Sequence, residues 1–94
     1  MSRCANRALV DALSDYLGPL DDVTTKMRDW ASATFIGMQH EMSFCCTADV
    51  ALIAALPDVD LPMAGHFVAD LVLVSSEARG PYHYVVIEVL TIRD

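Results

Sequence analysis

The chain has 94 residues and a formal charge of −7, with 13 acidic side chains against 6 basic ones. That length suits one domain. The acidic balance argues against nucleic acid or anionic lipid as partners, since both call for a basic surface. Hydrophobic residues make up 54% of the chain and the mean hydropathy is +0.38. A domain this small buries only roughly two-thirds of the surface its unfolded chain exposes, so the apolar excess belongs in a subunit interface, a ligand pocket or a membrane.

A membrane is the weakest of these destinations. The longest apolar run, Val50 to Leu56, falls far short of the about 20 residues a spanning helix needs. The basic start, with Arg3 and Arg7, is followed by apolar residues broken by Asp11 and Asp15, which is not a signal-peptide core. The reading is therefore a cytoplasmic protein without a membrane partner. Three cysteines, Cys4, Cys45 and Cys46, are an odd and irregularly spaced set, which fits reduced thiols rather than a disulfide framework.

In chain order, the spacing of Leu9, Val10, Leu13, Tyr16, Leu17 and Leu20 predicts an amphipathic helix from about Ser2 to Leu17. Gly18-Pro19 ends it, because Gly tolerates the left-handed cap and Pro cannot continue a helix. Residues Asp21 to Trp30 are polar and show no clear period. They read as a connecting loop, with one helical turn around Lys26 and with Trp30 anchoring its end.

From about Ala33 to Cys46 the residues alternate, with Ile36, Met38, His40, Met42, Phe44 and Cys46 on one side, the signature of a half-buried strand. Thr47 then suits the N-cap of a second helix, with Asp49 near its positive end. That helix is expected to reach Leu56 before Pro57 closes it, and Pro57 to Gly65 reads as an irregular loop. Two further strands, about His66 to Ser75 and about Tyr82 to Arg93, are rich in Val, Ile and Leu. Ser76 to Pro81 is the turn between them.

The predicted fold is thus α+β, a two-layer α/β sandwich in the order α-β-α-β-β. It has a three-stranded, mainly antiparallel sheet with two helices. The crossover helix permits a split β-α-β unit with the last strand central. Both C-terminal strands are apolar on both faces, and such strands are covered on both faces. Two helices cannot easily cover both faces of the sheet, so oligomerisation, as a homodimer, is expected to complete the fold; the rival arrangement places one helix on each face.

No stretch matches a catalytic, cofactor or nucleic-acid motif. The four glycines stand alone, so no phosphate-cradling loop is visible, and no cofactor is implied. The ligand-type residues His40, Cys45, Cys46, His66 and His83 lack metal-site spacing, so no metal is expected. A thiol at Cys45 or Cys46 would lie just before the second helix, whose positive end favours a thiolate. Buried cysteines acting as small hydrophobes are the simpler account.

The polar residues that stand out are His40, on the apolar face of its strand, and Asp70 and Glu88. A register summing to about 158 places Asp70 opposite Glu88, where like charges destabilise a sheet. Buried together, such carboxylates can do acid/base work. A bulge, a wet sheet edge, or an arginine such as Arg3, Arg7 or Arg28 would make the pair structural instead.

Two functional readings follow. The first is a small oligomeric or protein-interaction domain without catalysis. The second is a small enzyme or ligand-binding protein, its small-molecule ligand unknown, with an acid/base cluster of His40, Asp70 and Glu88 near a subunit interface.

Overall fold

The computed structural model describes residues 4–94. Helix α1 spans Ala5–Leu17 and β1 spans Asp21–Ala31. Strand β2 spans Ile36–Cys46, and α2 is a short helix, Val50–Ala54, followed by a 3-10 turn at Leu56–Asp58. Strands β3, His66–Arg79, and β4, Tyr82–Arg93, complete the chain. The fold is α+β, with two helices and one antiparallel sheet in the order β1-β2-β4-β3. Among the described residues no helix is long and apolar enough to cross a membrane.

Helix α1 forms where the apolar stripe predicts it. The expected first residues, Ser2 and Arg3, lie outside the described part. Gly18 ends the helix at φ 84°, its N–H donating to the Ser14 carbonyl at 2.8 Å. Leu9, Leu13 and Leu17 point into the sheet, and the hydroxyl of Tyr16 donates to the Leu52 carbonyl at 2.7 Å. That bond ties α1 to α2 on one side of the sheet.

The expected loop from Asp21 to Trp30 is instead a strand, so the sheet has four strands and the order is α-β-β-α-β-β. Strand β1 is an edge paired only with β2, and neither of its faces is buried. A strand wet on both faces need not alternate, which is why its sequence shows no period. Its β-branched run Val23-Thr24-Thr25 is the local feature that suits extended backbone.

The second helix is also shorter than expected. It starts at Val50 rather than Thr47, because Asp49 is the residue that caps it, accepting from the Ala51 N–H at 3.0 Å. The β3–β4 turn is tighter than six residues. Gly80, at φ 60°, and Pro81 make it, so β3 runs on to Arg79.

One hydrophobic core lies between the helices and one face of the sheet. Leu9, Leu13 and Leu17 of α1, Ile53 of α2, and Leu56 and Leu61 meet Met42, Phe44, Val85, Ile87 and Val89. Each large side chain sealed there contributes about 1.5–3 kcal/mol. Both helices therefore sit on the same side. The opposite face of the sheet carries no covering element from the described residues.

Candidate functional site

The residues singled out from sequence fall on opposite sides of the sheet. His40 lies on the helix-covered face and is fully buried. Its Nδ1 is 3.3 Å from Asn6 Oδ1 of α1, and its Nε2 is 2.9 Å from Thr91 Oγ1 of β4. The Thr91 hydroxyl in turn donates to the Met38 carbonyl at 3.4 Å, so the ring sits in a chain of polar groups with a partner at each nitrogen. Burial holds the imidazole below its ordinary pKa, and the nearby His66 lowers it further. The ring is therefore neutral near pH 7 and acts as a polar strut joining α1, β2 and β4.

Asp70 and Glu88 lie on the other face, and both are exposed. They do not stand opposite each other. Asp70 pairs with Leu90, and Glu88 pairs with Val72 on one side and Glu41 on the other. The register departs from the expected sum because the turn is centred on Gly80-Pro81, which pairs Arg79 with Tyr82. The bulge between Leu73 and Ser75 takes back only part of that offset before Asp70, and the bulge between Val68 and Asp70 acts beyond it. Each bulge adds one residue to β3 and shifts everything beyond it. His40, Asp70 and Glu88 are thus not brought together, because the sheet itself separates the histidine from the carboxylates.

The arginines considered as partners do not enclose them. Arg7 pairs with Asp11 on α1 at 3.6 Å, and Arg3 lies outside the described residues. Arg28 is on the same face as Asp70 but on the far edge strand, opposite Gln39. Cys46 is buried in the core and Cys45 is half-buried opposite Tyr84. Neither lies at a helix start. Cys4 does: it is exposed at the N-cap of α1, and the backbone N–H groups of Arg7 and Asn6 pull its thiol below the ordinary pKa. Among the described residues no three His, Cys, Asp or Glu side chains are grouped to hold a metal ion.

The uncovered face is the feature that stands apart. Its rows follow from the register. Trp30, Gly37, Ile92 and Phe67 form one row across the four strands, and Arg28, Gln39, Leu90 and Asp70 form the next. Lys26, Glu41, Glu88 and Val72 form the third. Phe67 is 41% exposed and Val72 46% exposed, and the bulge residue Val74 is 52% exposed. Ile92 is only 4% exposed, although it does not belong to the main core. It fills the space that Gly37 leaves open: a Cβ on Gly37 would come within 2.9 Å of Ile92 Cδ1 and would collide with the Thr91 carbonyl oxygen.

At the other end of the face, Arg79 stacks its guanidinium 4.5 Å from the Tyr84 ring centroid and approaches Glu77 at 3.5 Å. The β1 contribution to this face, Lys26, Arg28 and Trp30, was hidden from sequence reading because β1 was not visible as a strand. Comparison with known proteins finds no matching family model, no matching curated protein and no matching solved structure.

Proposed function

We propose that the chain is a homodimeric association module whose uncovered sheet face packs against the same face of a second copy. The observation that carries this reading is the one-sided placement of both helices, which leaves Phe67, Val72 and Val74 exposed and Leu90 half-buried. Four strands about 4.8 Å apart and about eleven residues long present roughly 700 Å². Two such faces together reach the roughly 1,200–2,000 Å² of a stable interface. Packing of sheet on sheet is also a standard way to seal apolar faces.

Pairing through the sheet edges is the competing route, and both edges oppose it. Strand β3 has two bulges, and β1 has an irregularity between Asp21 and Thr24, with Asp22 at φ 53° and Lys26, Arg28 and Asp29 along the strand. Bulges and edge charges block strand addition. The three free cysteines fit a reducing, cytoplasmic setting.

The test is gel filtration with light scattering on the wild type and on Val72→Glu. The wild type should elute as a dimer, and the added carboxylate should release monomers that keep the native circular dichroism spectrum. A dimer untouched by Val72→Glu would move the interface away from this face.

A further inference from the structure

Glu41 and Glu88 are direct partners across β2 and β4, near the middle of the uncovered face. Both are exposed, so in the isolated chain water screens their repulsion. A second copy laid on this face would remove that water. Two carboxylates of like charge would then face each other away from bulk water, twice over in a symmetric dimer.

The surrounding charges do not neutralise them in full. On β1, Lys26 stands opposite Glu41, and Arg28 stands one row away, opposite Gln39. On β3, Val72 stands opposite Glu88, and Asp70 is one row away. Within β2 and β4 the same-face neighbours are Gln39, Ser43, Val86 and Leu90, none of them charged. Glu77 and Arg79 pair with each other further along β3. Helices α1 and α2 contribute nothing, because they pack on the opposite face. The row through the pair thus holds one cation for two carboxylates.

We infer that self-association through this face is linked to proton uptake at the Glu41–Glu88 pair, so that the dimer tightens as the pH falls. The inference rests on the self-association reading above. Its physical basis is the cost of burying an ionised carboxylate, which is relieved when the group takes a proton or loses its charge. A proton shared by opposed carboxylates also turns repulsion into a hydrogen bond. The face therefore behaves as an association surface with an acid-sensitive latch at its centre.

The experiment is sedimentation equilibrium of the full chain across about pH 7.5 to about pH 5.5, above the ordinary glutamate range near 4.3, with circular dichroism at each step to confirm the fold. The wild-type dissociation constant should fall by about tenfold or more across that two-unit window, the equivalent of an average uptake of about half a proton or more per dimer formed. Glu41→Gln and Glu88→Gln should each tighten the dimer at the upper pH and flatten the slope. Asp15→Asn, on the exposed side of α1, removes the same net charge away from the face and should keep the wild-type slope.

A wild-type slope retained by both glutamine variants overturns the inference while leaving the dimer in place. So does a flattening by Asp15→Asn equal to theirs, because overall charge would then be the cause. A chain that stays monomeric at every pH overturns the self-association reading itself.

Discussion

The His40 ring nitrogen Nε2 and the Thr91 hydroxyl lie 2.9 Å apart, joining diagonal positions on β2 and β4 inside the core. With Asn6 at Nδ1, both ring nitrogens have a polar partner. Burial lowers its pKa in the folded state, while in the unfolded chain it titrates near the ordinary 6.5. Between those two values the unfolded chain binds more protons, so stability rises with pH. The contribution is fully present above about pH 6.5 and is lost as the pH falls towards the folded value, by at most about 1.4 kcal/mol per pH unit. Urea midpoints of wild type and His40→Gln, compared across this window, should converge at lower pH. Parallel curves would contradict the assignment.

Gly37 is required by close approach rather than by a left-handed backbone. A side chain there meets the Thr91 carbonyl oxygen and Ile92, so Gly37→Ala should cost about 1–3 kcal/mol of stability through overpacking. Chemical denaturation measures this directly. A neutral substitution would show that β2 and β4 separate more easily at this end than the packing indicates.

The three thiols should react in a fixed order. Cys4 is exposed with a lowered pKa, Cys45 is half-buried and Cys46 is fully buried. A thiol-specific colorimetric reagent should therefore label one site quickly, and Cys4→Ser should remove that fast phase. Cys46 should respond only on unfolding, since reactivity follows thiolate fraction and access. A fast phase that survives Cys4→Ser would contradict the helix-start assignment.

Trp30 is the chain's single tryptophan and is half-buried on the uncovered face, in the row of Ile92 and Phe67. Its emission should shift to shorter wavelength as concentration rises and a second copy removes water from that row. An emission maximum independent of concentration, in a sample whose mass does change, would place the contact elsewhere.

The parts of the fold legible in the sequence are those that bury one face. The stripe of Leu9, Leu13 and Leu17 marked α1, and the alternation of Met42, Phe44 and Cys46 marked β2, because apolar spacing records which side meets the core. Strand β1 left no such record: its backbone pairs with β2 while both faces stay wet. The double apolar character of Leu71 against Val72, and of Val89 against Leu90, predicts cover on both faces, and the structure shows helices over one of them. His40 is parted from the carboxylates by face, because it pairs with Val89 while Glu88 pairs with Glu41 on the other side of the sheet. Asp70 and Glu88 are offset by the two-residue turn and the bulge between Leu73 and Ser75, and neither the alternation nor the composition of β3 encodes that register.

In the proposed dimer this sheet is covered on one side by its own helices and on the other by a second copy. Sedimentation velocity of the wild-type chain over a broad concentration range tests it most directly. The account predicts a reversible dimer of twice the 10.3 kDa chain mass, dissociating on dilution. A single species of 10.3 kDa at every concentration, correctly folded, would contradict it.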